Sequence, residues 1–268
     1  MAKLIKESEL PIKDFEKLGL YRDGRIDMNS EDMDALVSGR RTAMRSMAHL
    51  ELDGFSIRQL DAKLSLRRNG DGSVSLNLHP IYKDIQPHPL LDMDETTRLA
   101  AGEVPSIQKE YSDENKEKKK LIIEYDEDTR EFVAYDPKEV EVPVRINNEE
   151  LTEQQRKDFR EGRMVELSDG TRLQHSASDS KGVRSDRTRL VMSVLLDGGL
   201  SYLLFRGVRH LFGERSPQKE GYSKGYNEAV ADMVLSESRT KEEPTIADHL
   251  QKQKDNQFDR GYGRTHSR

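Results

Sequence analysis

The chain has no cysteine and no tryptophan among its 268 residues. The first absence excludes disulfides, thiolate-bound zinc and iron–sulfur clusters, and it fits a cytoplasmic protein. The second, with only nine tyrosines and seven phenylalanines, argues against a platform for stacking single-stranded bases. Apolar residues make up 34% of the chain and charged residues 35%, against roughly 45–50% (glycine counted) and 25% in ordinary globular domains. Such a composition supports thin modules with much surface rather than one large core. Long apolar runs are missing too. The longest, Leu190 to Phe205, has 16 residues and is split by Asp197-Gly198-Gly199, short of the ~20 that span a bilayer. MAKLIKESELP contains no continuous apolar segment, so neither a secretory leader nor a membrane partner is expected.

What is present is a unit written three times. Each copy has a short helix stopped by a glycine, at Gly39, Gly102 and Gly162, followed by an alternating apolar hairpin. The hairpins read DAKLSLRRNGDGSVSLNLHPI, LIIEYDEDTREFVAY and LVMSVLLDGGLSYLLF. The expected fold is α+β: three helix–Gly–antiparallel hairpin or meander units, then a C-terminal helix and a disordered tail. Residues 1–86 hold the first unit, 87–148 the second with its linker, 149–215 the third, 216–237 the helix and 238–268 the tail.

Local signals fill in this outline. Pro11 and Gly19 bracket a first helix, and Ser30 is the expected N-cap of the next. SMAHLEL and FSIRQLDAKLSLRR flank Asp53-Gly54 and, with SVSLNLHPI, predict a three-stranded meander. Thr152 and Gln155 form a capping box. The stretch 136–148, with Pro137 and Pro143, reads as an edge strand or a linker, and HSASDSKGVRSD as a polar loop before the closing hairpin.

No Walker motif, dinucleotide fingerprint or nucleophile elbow occurs, and the seven histidines are scattered. No catalytic residue, cofactor or metal is expected. Asp126, Glu127 and Asp128 make a tight acidic cluster, best read as a solvated turn. Basic residues are more suggestive. Between Ser38 and Gly70 seven stand against three acids, and between Arg163 and Arg215 nine against six, although the chain carries a net charge of −6. If strands gather Arg40, Arg41, Arg45, Arg67, Arg68, Arg184, Arg187 and Arg189, a basic stripe could track a nucleic-acid backbone. The alternative is a solvated sheet face whose arginine stems cover apolar edges. On the C-terminal helix, Tyr222, Tyr226, Val230 and Met233 offer either an anchor face for a protein partner or a cap over the last sheet.

LPIKDFEKLGL, the meander DAKLSLRRNGDGSVSLNLHPI and ELTEQQRKDFREGRMVEL resemble a group of uncharacterised domains, over about Leu10 to Phe212. Those domains are carried on conjugative and other mobile elements of gut anaerobes, and some are appended to type IA DNA topoisomerases. The resemblance implies an accessory role and assigns no catalytic residue. It leaves two readings open. One is a non-enzymatic accessory protein that binds nucleic acid or a nucleoprotein complex. The other is a protein–protein adaptor that uses strand edges and the C-terminal helix.

Overall fold

The computed structural model describes residues 4–52, 55–112, 118–196 and 199–242. After a 3-10 turn at Glu7–Glu9 come helix α1 (Ile12–Lys17), a small hairpin of β1 (Tyr21–Arg22) and β2 (Arg25–Ile26), and helix α2 (Ser30–Val37). Strands β3 (Arg45–Leu52), β4 (Phe55–Arg68) and β5 (Val74–Pro80) follow as an antiparallel meander. Leu64 lies opposite Leu78 and Leu66 opposite Leu76. The period-2 pattern therefore delivers one apolar face, which packs on Phe15 and Leu36. The Asp53-Gly54 turn lies outside the described residues.

The second unit is helix α3 (Met93–Ala100) with strands β6 (Ile107–Ser112), β7 (Lys118–Asp126) and β8 (Glu131–Tyr135), again a meander. Strand β6, IQKEYS, was not expected. Its alternation rests on Ile107, Lys109 and Tyr111 as the half-buried set, too polar to register as a period-2 signal.

Next come β9 (Arg145–Ile146), β10 (Glu149–Glu150), helix α4 (Glu153–Arg160), β11 (Val165–Glu166), β12 (Arg172–His175), β13 (Val183–Ser185), β14 (Arg189–Leu196), β15 (Gly199–Arg206) and helix α5 (Lys224–Glu242). The third meander is β11-β12-β13, not the Leu190–Phe205 hairpin. That hairpin forms as β14–β15 but belongs to a four-stranded sheet of order β10-β9-β14-β15. Of the stretch 136–148, only Arg145–Ile146 is strand, pairing with Met192 and Ser193.

The repeated helix stops share one geometry. Gly39, Gly102 and Gly162 have φ of 74°, 69° and 64°. Each donates its N–H to the carbonyl three residues back, while the next residue reaches five back, as in Arg40 N to Ala35 O at 2.8 Å. This is the Schellman motif, and it turns the chain from helix into sheet at the same point of each unit. Thr152 and Gln155 form the expected capping box. The N-cap of α2 is Asn29 rather than Ser30: its side chain accepts from Asp32 N at 2.7 Å. The last helix runs to Glu242, past the expected start of the tail, and residues 243–268 lie outside the described residues. The apolar interior is divided, as the composition requires. One cluster centres on Phe15, Leu36 and Leu64, another on Phe159, Leu173 and Leu190, and small ones on Leu99–Ile123 and Val191–Tyr226.

Candidate functional site

The residues that join the units are polar. The segment 175–186, expected to be a polar loop, is buried almost throughout, including Ser176, Ser178, Asp179, Arg184 and Asp186. Its second half is strand β13, paired with β12. The β7–β8 turn, with the acidic trio, points into the junction. Asp126 accepts from Lys63 Nζ at 2.8 Å and from Arg41 Nη1 at 2.9 Å. Asp128 is 2.8 Å from Lys63 Nζ and is also held by Arg209, while Glu127 receives Arg184 at 3.0 Å and Arg209 at 2.7 Å. The carboxylates of one unit are thus neutralised by cations from the first unit and from the segment after it. Among the described residues no group of three or more His, Asp or Glu is placed to hold an ion.

Electrostatics follow from this packing. Burial opposes ionisation of Asp128, but the Arg209 hydrogen bond and the charge of Lys63 outweigh it and hold the carboxyl below the usual aspartate range. Burial likewise works against Glu131, and the His79 hydrogen bond and Arg41 charge reverse it. Glu124, wholly enclosed, is pushed up by burial despite accepting from Ser178 N and Ser176 Oγ. His175 sits edge-on to Tyr135, ring centroids 5.0 Å apart. Burial and the nearby Arg40 charge push its imidazole down to about 3, so it is neutral.

The eight candidate arginines are therefore dispersed. Arg40, Arg41 and Arg184 are buried. Arg40 donates to Ser180 O at 3.2 Å and lies against Gly182, where a Cβ would meet its Cδ at 3.0 Å. Arg45 pairs with Asp32 at 3.1 Å, and Arg68 with Glu9 at 3.0 Å. Arg187 donates to Glu220 O at 3.2 Å, and Arg189 lies over the Tyr222 ring at 4.7 Å. Arg67 is exposed and among the described residues its side chain reaches only Asn69, at 3.5 Å. The cue in the sequence was the acidic trio lying between two arginine-rich segments.

On α5, Tyr226 and Val230 pack with Ala229 against Val191, Tyr202 and Leu204 of the four-stranded sheet. Ser223 caps the helix, accepting from Tyr226 N at 3.1 Å, and its hydroxyl donates to Asp169. Met233 is half-buried and Tyr222 exposed. The helix is a cap on its own sheet.

A groove of about 380 Å³ runs between α2 and strand β15, lined by Asp34, Val37, Val194, Leu203, Phe205 and Arg206 among others. β15 is the last strand of its sheet, and its outer backbone groups have no backbone partner among the described residues. From Gly199 to Phe205 it carries no charge and no proline.

Residues 5–89 match a family described as "Protein of unknown function (DUF4099)". The matched stretch holds α1, α2 and the first meander. No curated protein and no solved structure matches the chain. Among the described residues no helix is long and apolar enough to cross a membrane.

Proposed function

We propose that this is a non-enzymatic accessory protein, of the mobile-element kind its resemblance implies, that captures an extended segment of a partner protein between β15 and α2. The observation that carries this reading is the unguarded edge of β15. Sheet edges that stay free are protected by lysine, proline or a bulge, and GLSYLLF has none of the first two. Its row of free N–H and C=O groups is matched by an extended polypeptide, the complement used in strand addition. Helix α2 lies across the groove from this edge, and Val37, Leu203 and Phe205 give the groove an apolar wall for the side chains that an added strand would turn towards it. The arginines support this choice over nucleic acid, because most of the eight already have partners inside the protein.

The test is selection of a random peptide library on the full chain, followed by hydrogen exchange of the complex. Slowed exchange of the β15 amides, lost with Leu203→Asp, supports strand addition. Protection confined to another surface overturns it. Labelled DNA and RNA in a salt series provide the contrasting arm. Steeply salt-dependent binding weakened by Arg67→Ala would favour the nucleic-acid reading.

A further inference from the structure

A second cavity, of about 360 Å³, opens where all three units meet. The end of β4 contributes Arg67, the stretch after β8 contributes Asp136 and Glu139, and Phe159, His175 and Met192 come from the C-terminal half. Its volume is that of a small-molecule site. The lining is apolar and aromatic in one part and charged in another, and most of those charges are already engaged. Arg68 is held by Glu9 at 3.0 Å and Lys181 by Glu31 at 2.9 Å.

Three charged groups remain. Arg67 makes no ion pair among the described residues, and its single side-chain contact is a long one to a neutral amide. Among the described residues the Asp136 carboxylate accepts only from the backbone N–H of Lys138, at 2.8 Å. Glu139 donates its backbone N–H to Asp136 O at 3.0 Å, but its carboxylate has no hydrogen bond or ion pair among the described residues. Burial and the charge of Asp136 push its carboxyl up, and the charge of Lys119 only partly offsets them. A guanidinium on one element and two carboxylates on another thus border the same cavity, without closing on each other.

His175, Phe159 and Tyr135 supply the aromatic part. The His175 ring lies 5.0 Å from that of Tyr135 and 5.5 Å from that of Phe159. Because the imidazole is neutral, it adds to the apolar lining rather than to the charge. A ligand that satisfies this lining needs an anionic group, a cationic group and an apolar body between them.

We propose that the cavity binds a small zwitterion of about dipeptide size with apolar side chains. The carboxylate would meet Arg67, the ammonium would meet Asp136 and Glu139, and the side chains would lie on Phe159, His175 and Met192. Arg67 and Glu139 are exposed, so each ion contact is partly hydrated and modest. Affinity in the range of about 10 μM to 1 mM follows. This site does not depend on the β15 edge, although Ser38, Arg40 and Lys181 line both spaces.

Calorimetric titration of the full chain with L-leucyl-L-phenylalanine tests the proposal, with the N-acetylated amide of the same dipeptide as the uncharged control. The dipeptide is expected to bind and the control to bind at least about tenfold more weakly, the loss of about one charge-assisted contact. Arg67→Ala and Glu139→Gln are each expected to weaken the dipeptide by about fivefold or more. Both positions are on the surface, so thermal midpoints of the variants serve as the check on folding. Absence of binding up to about 10 mM, equal binding of the uncharged control, or indifference of both variants would overturn it.

Discussion

Lys63 Nζ and Asp126 Oδ1 lie 2.8 Å apart with side chains 2% and 0% exposed, and this contact ties the first repeated unit to the second. Neither group can be hydrated, so each depends on the other and on its neighbours, Asp128 for the lysine and Arg41 for the aspartate. A buried ion pair gains little over an apolar pair, but removal of one partner strands a charge.

Lys63→Met is accordingly expected to destabilise the protein by about 3–5 kcal/mol in urea denaturation. A double-mutant cycle with Asp126→Asn should return a coupling above about 1 kcal/mol. Additive losses would show that the two side chains stabilise the fold independently.

The arginines separate into structural and exposed classes. Arg184→Ala leaves Glu127 short of a partner in the junction and is expected to cost about 2–4 kcal/mol. Arg67→Ala removes an exposed side chain and should change stability by less than about 0.5 kcal/mol. Equal losses in thermal denaturation would contradict the buried placement of Arg184.

Acid should weaken the fold through His175 before Asp128 and Glu131 titrate, while Glu124, raised by burial, acts in the opposite direction. His175 has a folded value of about 3, below its ordinary 6.5, so in the folded state it stays neutral while the unfolded chain takes up a proton. Its contribution is complete above pH ~6.5 and is lost as the pH falls towards 3, at up to about 1.4 kcal/mol per pH unit. His88, also lowered by burial, acts in the same direction. Asp128 and Glu131, both lowered, lose their contributions only below the usual carboxylate range. The stability of His175→Gln between pH 6.5 and 4.5 should therefore be flatter than that of the natural protein. Parallel curves would refute the buried neutral imidazole.

Gly102 meets two demands at once. Its φ is 69°, and a Cβ there would lie 2.7 Å from Gly213 Cα. Gly102→Ala should cost about 2–3 kcal/mol, more than Gly19→Ala. Gly19 has a similar φ of 68° but open space around it. Denaturation midpoints of the two variants, compared directly, check the ordering.

Local chemistry made the helix–glycine–strand rhythm readable. A Schellman stop needs only one residue that tolerates positive φ, and a meander needs only period-2 alternation and a turn. Gly39, the shared face of Leu64 and Leu66 and of Val74, Leu76 and Leu78, and Thr152 with Gln155 are therefore visible in the amino-acid order alone. Strand β6 was not, because Lys109 sits between Ile107 and Tyr111 on its half-buried face and breaks the apolar alternation. Nor was β13, because HSASDSKGVRSD reads as a polar loop after the strand MVEL and its Asp169-Gly170 turn.

What tertiary structure decided is which charges face which. Asp126 meets partners 63 and 85 positions away, and no local pattern encodes that choice. Of the arginines that suggest a phosphate-binding stripe in one dimension, Arg40, Arg41 and Arg184 are drawn inward in three. A carboxylate-rich turn and two cation-rich segments neutralise one another more effectively inside the protein, where the dielectric is low, than either would in water.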